Sequence, residues 1–191
     1  MAITIEETFQ VLAPVDAVWR FVLDPGLVAA CMPGAEVDEV VDERTFLGNI
    51  AVRVGAVTTK YKGRVQFTNV DEAAYAVEMV AEGRETGGGL AKGGMSSRLR
   101  PLTDGETEVT VQASVEVTGR IAQVSRGMIQ GVSQQLFRQF VACAKARLEA
   151  PEGAVAPPAQ QRPIAIVPLV LRVIWAAING FFRRLLRRGS A

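Results

Sequence analysis

Strict alternation of apolar and polar side chains marks residues 109–117 of this 191-residue chain. Successive side chains of a β-strand point to opposite faces, so the segment predicts a strand with one apolar face and one polar face. A sheet built from such strands is apolar on one side only and needs another element to cover that side. The apolar members of the alternation are Val109, Val111, Ala113, Val115 and Val117.

Six further segments have the spacing and composition of strands, with turn signals such as Asp71-Glu72 and Asp104-Gly105 next to them. The stretch Gly83–Gly94 is rich in glycine but lacks the Walker spacing and does not begin a helix. We therefore expect a flexible loop at the rim of the fold there, and no phosphate site. The six further strands are predicted at residues 3–12, 35–41, 44–54, 57–70, 74–81 and 95–102.

The spacing of the apolar residues changes after the last predicted strand. Apolar residues recur every three or four positions between residues 120 and 148, which predicts one long amphipathic helix. Two short helices are predicted near the N-terminus, at residues 15–24 and 26–32. The order indicates an α+β fold in which a curved antiparallel sheet wraps around the long C-terminal helix. The apolar stripe of that helix consists of Ile121, Val124, Met128, Val132, Leu136, Phe140 and Cys143.

A strongly curved sheet stands away from its covering helix over part of their contact, which predicts an apolar ligand-binding cavity. The alternative is that the same residues form an ordinary core. Several methionines favour an adaptable pocket, because thioether side chains repack around varied shapes. The candidate cavity residues are Leu27, Cys31, Met32, Phe46, Ile50, Tyr61, Phe67, Tyr75, Met79, Met95, Leu99, Met128, Val132 and Leu136.

The composition excludes several classes of site. Histidine is absent, which removes Ser-His and Cys-His catalysis and His-ligated zinc. Paired acids such as Asp42-Glu43 have the pattern of solvated turns, so we expect no catalytic residue and no metal site. Cys31 and Cys143 are far apart in sequence and are expected to be unbonded, buried thiols in a reducing cytoplasm. The N-terminus lacks the pattern of a signal peptide, which also favours a cytoplasmic protein.

The C-terminal region differs sharply from the rest. We divide the chain into a ligand-binding domain at residues 1–149, a flexible Pro/Ala-rich linker at 150–162 and a basic membrane-docking helix at 163–191. The last segment holds five arginines and no acid, and the remaining 16 basic side chains are outnumbered by 20 acidic ones. This acidic body argues against a nucleic-acid partner, whereas the basic tail suits an anionic membrane surface.

Three arrangements of the tail remain open: a helix lying in the membrane interface, a helix that spans the bilayer, or a helix docked on a partner protein. A spanning tail would export four arginines, against the positive-inside tendency. An in-plane amphipathic helix is therefore the favoured arrangement. The predicted membrane-binding residues are Arg172, Trp175, Phe181, Phe182, Arg183, Arg184, Leu185, Arg187 and Arg188.

Five short motifs, in order along the chain, resemble the CoxG family of carbon monoxide dehydrogenase subunits, which belongs to the START-like helix-grip (SRPBCC) superfamily. The resemblance covers about Ala2–Leu148 and leaves the tail outside. It implies a helix-grip fold, an apolar cavity for lipids or similar molecules, and an accessory role in attaching a CO dehydrogenase-type molybdenum hydroxylase to the membrane. The motifs are Asp24-Pro25, Met32-Pro33-Gly34-Ala35, Val52-Arg53-Val54-Gly55, Tyr61-Lys62-Gly63 and Val117-Thr118-Gly119-Arg120.

Together these expectations describe a non-catalytic carrier with no covalent cofactor. It binds a hydrophobic lipid, menaquinone or ubiquinone, and takes part in electron transfer between its partner enzyme and the membrane. It resides in the cytoplasm and attaches peripherally to the anionic inner face of the cell membrane. One alternative is a pure tether or assembly factor without ligand. The other is an enzyme resembling the polyketide cyclases of the same superfamily.

Overall fold

Seven antiparallel strands form one sheet in the computed structural model, which describes residues 2–150. The strand order is β1-β7-β6-β5-β4-β3-β2, so the first strand pairs with the last and β2 forms the opposite edge. The elements are β1 (Ala2–Val11), α1 (Val15–Leu23), α2 (Pro25–Cys31), β2 (Ala35–Asp42), β3 (Thr45–Val54), β4 (Val57–Asp71), β5 (Ala76–Glu85), β6 (Leu90–Pro101), β7 (Thr107–Val117) and α3 (Arg126–Leu148).

The predicted fold class is confirmed. All seven predicted strands are present, and the two short helices come between β1 and β2 as expected. The long helix follows the last strand, which completes the helix-grip arrangement. The predicted linker and basic tail lie outside the described residues.

The turn from α2 into β2 explains why one of the sequence motifs has a glycine. Asp24 caps α2 by accepting a hydrogen bond from the Leu27 N–H at 3.0 Å, and Pro25 fits the first helical position. Gly34 then adopts φ +80°, and its carbonyl accepts from the Ala51 N–H at 2.9 Å. A Cβ at this position would clash with the Ala51 carbonyl oxygen, so only glycine lets the turn lie this close to β3.

The long helix begins later than its apolar period predicts. Residues 120–123 form a 3₁₀ turn that buries Ile121, and α3 starts only at Arg126. Gly119 adopts φ +80°, a conformation that does not belong to a right-handed helix. Ser125 then caps α3 by accepting a hydrogen bond from the Met128 N–H at 3.4 Å. The predicted helix over 120–148 is thus wrong at its start and correct at its end.

The two cysteines are joined, so the prediction of unbonded thiols is wrong. Cys31 at the end of α2 and Cys143 in α3 form a disulfide across a Cα–Cα distance of 5.4 Å. Phe21 of α1 and Phe140 and Ala144 of α3 belong to the same hydrophobic cluster as this bond. The pairing could not be read from the sequence because it depends on helix packing between residues separated by 112 positions.

Most of the predicted loop Gly83–Gly94 is strand. Gly83 pairs with Ala91 across β5 and β6, and Gly93 and Gly94 are also in the ladder. The turn is short, because the Glu85 N–H donates to the Gly89 carbonyl at 2.8 Å. The flexible-rim prediction is therefore wrong for these residues, whose glycines are strand positions without side chains.

Candidate ligand-binding cavity

The concave face of the sheet is accessible in its middle and buried at both ends. Along β5 the residues that point inward are Val77, Met79, Ala81, Gly83 and Glu85. The two outer members of this series are buried, Met79 and Gly83 are partly buried, and Ala81 is exposed. The least buried of these inward positions therefore lies at the centre of the strand.

The neighbouring strands repeat this gradient. On β7, Val111 and Val117 are buried, whereas Ala113 and Val115 between them are only partly buried. On β4, Tyr61 and Phe67 are buried, and Val65 between them is partly buried. On β6, Leu99 is buried and Gly93 is partly buried. The adjoining strands β4 to β7 are therefore all less buried at their centre than at their ends.

A row of glycines crosses three strands at this centre. Gly48, Gly63 and Gly83 lie directly opposite one another on β3, β4 and β5, and we call them the glycine row. They place no side chain on the concave face. A Cβ at Gly63 would clash with the Glu82 carbonyl oxygen, so the bend of the sheet itself requires glycine there.

The long helix contacts α2 and, on the sheet, mainly β1 and β3, which are on opposite sides of the central strands. Near its start, Ile129 joins a buried cluster with Val54 and Tyr61. At the middle of the helix, Phe137 meets Phe9 of β1 edge to face, with ring centroids 6.1 Å apart. The helix therefore crosses the concave face between strands on either side of its centre.

The predicted wall residues divide between the buried clusters that flank this centre. One cluster contains Ile50, Tyr61 and Val132. Cys31 belongs to the disulfide cluster, and Leu136 and Met32 are partly buried. Leu27 and Met128 are 38% and 49% exposed, which places them at the rim rather than on a closed wall. The other flanking cluster, around Trp19, contains Phe46, Phe67, Tyr75, Met79, Met95 and Leu99.

Tyr75 is not the strand residue that the alternation predicts. It occupies the turn before β5 with φ +46°, and its ring meets Trp19 edge to face at 5.7 Å. Its hydroxyl donates to Asp16 Oδ1 at 2.6 Å. This hydrogen bond raises the pKa of Tyr75 above its ordinary value. Tyr75 thus fastens the turn to α1, and its side chain is committed to that contact instead of lining the cavity.

A cluster of three buried polar side chains lies at one end of the accessible centre, and the sequence pattern did not indicate this cluster. Tyr61 and Glu85 face each other across β4 and β5, and Thr59 is two residues before Tyr61. All three are at least nine-tenths buried. Glu85 Oε1 pairs with Arg120 Nη2 at 3.0 Å, and the arginine extends to the surface. We call Thr59, Tyr61 and Glu85 the polar end of the cavity.

The Thr59 hydroxyl lies next to both the Glu85 carboxylate and the Tyr61 hydroxyl, although Thr59 Oγ1, Tyr61 Oη and Glu85 Oε2 make no hydrogen bond of ordinary geometry. The pKa of Glu85 lies below its ordinary value because the neighbouring Thr59 hydroxyl and, secondly, the Arg120 guanidinium favour the ionised carboxylate. Burial raises the pKa of Tyr61, so its hydroxyl keeps its proton at neutral pH. The polar end therefore combines a carboxylate with two hydroxyls.

A depression of about 440 Å³ lies on the opposite, convex face of the sheet, and its lining also includes Ala81 and Gly93. Its charged residues include Arg64, Glu82 and Lys92, and the last two form an ion pair at 3.2 Å. These charged side chains are exposed. Within residues 2–150, no helix is long and apolar enough to cross a membrane, and no cluster of acidic or cysteine side chains is arranged to hold a metal ion.

The relationship of the chain to known proteins agrees with this architecture. The sequence model of CoxG, a carbon monoxide dehydrogenase subunit, matches residues 8–149. The chain belongs to the CoxG family. The match contains the three helices and the central strands, and excludes the tail. No curated protein matches the chain by sequence.

Solved structures with low sequence identity share the CoxG-domain fold. A conserved protein from Geobacillus kaustophilus has a TM-score of 0.69 at 21% identity, covering 77% of this chain and 95% of its own. The Zhui aromatase/cyclase from Streptomyces sp. R1128 has a TM-score of 0.59 at 17% identity, covering 78% and 94%. A START superfamily protein from Mycobacterium smegmatis has a TM-score of 0.52 at 14% identity, covering 76% and 97%. These likenesses establish the START-like fold of this CoxG chain.

The lowered pKa of Glu85 predicts how the stability of the CoxG domain responds to acid. A carboxylate whose pKa falls on folding stabilises the native state above the ordinary glutamate pKa of about 4.3, and that contribution disappears as the pH falls through the folded pKa. Lowering the pH from about 7 to about 3 should therefore shift the difference in Tm between wild type and Glu85→Gln in favour of the variant. Thermal melts followed by circular dichroism measure it. A difference in Tm that stays constant with pH would contradict the prediction.

Proposed function

We propose that this CoxG-family chain is a non-catalytic carrier that binds a respiratory quinone, menaquinone or ubiquinone, in the concave cavity. The observation on which the proposal rests is the burial gradient of the central strands, buried at both ends and accessible at Ala81. A filled core would bury the centre most deeply, since that is where sheet and helix enclose the most surface. An accessible, apolar centre under a bridging helix is instead the arrangement of a ligand pocket.

The chemistry of the cavity supports a lipid with a long apolar chain and a polar head. Met79 and Met95 face each other across β5 and β6 beside the opening, and thioether side chains adapt to flexible apolar ligands. Tyr61 and Glu85 supply hydrogen-bonding groups at one end only. A quinone has this division between an isoprenoid chain and a polar ring.

The proposed partner follows from the family. CoxG is described as a subunit of carbon monoxide dehydrogenase, and we propose that this chain links such a CO dehydrogenase-type enzyme to the membrane. An oxidase of that type must pass electrons to a respiratory chain, and a carried quinone provides the acceptor. The basic tail, Pro163–Ala191, would hold the carrier at the anionic cytoplasmic face of the cell membrane.

A cytoplasmic location must accommodate the bond between Cys31 and Cys143. Disulfides are rare in reducing compartments. Here Cys31 is only 4% exposed and lies among Phe21 and Ala144, and Cys143 is partly buried, which limits the access of reductants to the bond. The bond and the proposed location are compatible on this physical ground.

Extraction of quinone from vesicles tests the proposal. We expect the purified full-length chain, incubated with phospholipid vesicles containing menaquinone and then separated from them, to retain about one quinone per chain by native mass spectrometry and solvent extraction. Vesicles of the same phospholipids without quinone are the control. If a folded protein retains no menaquinone or ubiquinone above this control, the chain is a tether without a quinone ligand.

A further inference from the structure

Opposite charges are concentrated at the two ends of the sheet. The turns β3–β4 and β5–β6 lie at one end, together with the connection from β7 to α3. The residues that form this end, 53–62, 84–90 and 118–128, include six basic side chains and one acidic side chain. We call the six the basic end: Arg53, Lys60, Lys62, Arg84, Arg120 and Arg126.

The other end of the sheet has the reverse composition. The turns β2–β3, β4–β5 and β6–β7 lie there, because successive strands are antiparallel. Residues 42–45, 71–76 and 101–107, which form these turns, include six acidic side chains and one basic side chain, Arg44. The domain therefore has a positive end and a negative end, although acidic side chains outnumber basic ones in residues 1–162.

Contacts between its segments make the basic end one continuous surface. Arg53 Nε donates to the Gly55 carbonyl at 3.3 Å in the β3–β4 turn, and the Met128 sulfur lies against the same glycine. Arg120 Nη2 meets Glu85 Oε1 at 3.0 Å beside the β5–β6 turn. The 3₁₀ turn that contains this arginine also contacts β4. The two turns and the start of α3 therefore adjoin one another.

The charges of the basic end are poorly compensated within residues 2–150. Lys62 and Arg84 are directly opposite each other on β4 and β5, and like charges at opposed positions repel. Arg84 pairs with Glu82 at the long distance of 3.9 Å. The one acid of this end, Glu85, is buried and is already paired with Arg120. Because all six basic side chains are exposed, an external anionic surface can relieve the repulsion.

An apolar side chain among these bases favours a lipid surface as the partner. Met128 is exposed two residues after Arg126, beside the β3–β4 turn. The tips of the two turns, at Ala56, Gly87 and Gly88, are exposed and carry neither charge nor bulk. A bilayer offers anionic head groups for the bases and an apolar layer for the methionine. The tail, Pro163–Ala191, combines arginines and apolar residues in the same way.

We infer that the basic end is a second membrane contact, which docks on anionic phospholipid head groups and turns the start of α3 toward the bilayer. This inference rests on the anionic membrane of the proposed function and not on the quinone ligand. The same surface repels the acidic end, so one orientation of the domain is favoured. The 13 residues at 150–162 can span about 43 Å, more than the roughly 34 Å of the 23-residue α3, so the length of the linker permits this contact.

Vesicle binding by two matched double variants tests the inference. Lys60→Gln with Lys62→Gln removes two bases of the basic end, whereas Arg44→Gln with Arg98→Gln removes two exposed bases outside it. Both lower the net charge equally. The full-length chains are titrated with vesicles of phosphatidylserine and phosphatidylcholine in equal amounts. We expect the lysine variant to bind about thirtyfold, or roughly 2 kcal/mol, more weakly than wild type, and the arginine variant to bind nearly as tightly as wild type.

Thermal melts establish that both variants are folded, and the difference between them should vanish on vesicles of phosphatidylcholine alone. Equal binding of the anionic vesicles by the two folded variants overturns the inference. The basic end would then be assigned to an acidic protein surface, and attachment by the tail would stand. A folded wild type that does not bind the anionic vesicles overturns the membrane attachment in the proposed function together with this inference.

Discussion

Replacing Ala81 with phenylalanine is expected to abolish quinone binding and leave the fold intact. Ala81 points inward at the centre of β5, where the concave face is exposed, so a phenyl ring there would occupy the space of the ligand. The native state has room for the ring, and substitutions at exposed positions usually change stability by less than about 0.5 kcal/mol. We expect the Kd for a short-chain menaquinone to rise about a hundredfold, or roughly 2.7 kcal/mol.

The adjacent residue provides the control. Val80 lies on the convex face of the same strand and is 45% exposed, so Val80→Phe adds the same ring on the other side of the sheet. It should leave both the Kd and the Tm close to the wild-type values. Tight binding retained by a folded Ala81→Phe variant would show that the ligand does not lie over the centre of the sheet.

The main outline of the fold could be predicted because the alternation of apolar and polar residues within each strand reflects which face of that strand is buried. Val109 to Val117 alternate along a strand that is buried on one face, and the helix period is equally local. The failures occurred where a local pattern competes with a distant contact. Tyr75 continues the alternation of β5, but its hydroxyl is drawn to Asp16, 59 residues away, and the chain turns there instead.

The cavity remains a prediction from the curvature of the sheet, and the buried polar side chains at its proposed end were not indicated by the sequence. Glu85 fell within a stretch that glycine content made resemble a loop, although β5 continues to that residue. Recognising Glu85 as an inward residue requires the β4–β5 register, which places it opposite Tyr61. That register includes a shift between Phe67 and Asn69, so counting from the hairpin turn alone would not have given it.

The glycine row illustrates the same limit. In the sequence, Gly48, Gly63 and Gly83 are unrelated strand glycines, each of which weakens a strand by itself. Only the pairing of three strands aligns them into one row beside the polar end. The available signal was their occurrence at inward positions of otherwise well-patterned strands, but a glycine taken alone is equally typical of a turn.

Neutralising the tail is expected to remove the chain from anionic membranes. Replacing all five tail arginines with glutamine should weaken binding to phosphatidylserine-containing vesicles by roughly several thousandfold, because each basic residue near such a surface contributes about 1 kcal/mol. Replacing the same arginines with lysine keeps the charge and should keep most of the binding. Co-sedimentation of full-length protein with vesicles measures both, and raising the salt concentration should weaken wild-type binding because exposed charges are screened.

The same assay separates the three arrangements of the tail. An in-plane helix held by its arginines binds anionic vesicles reversibly and releases in high salt. A spanning helix, once inserted, would remain in the membrane at any salt concentration, since its attachment depends on apolar residues such as Trp175 and Phe181. A tail that docks on a partner protein would leave wild type and glutamine variant equally absent from the vesicles. Either of the last two results would contradict electrostatic docking, and with it the view that this carrier visits the membrane reversibly to load and release its quinone.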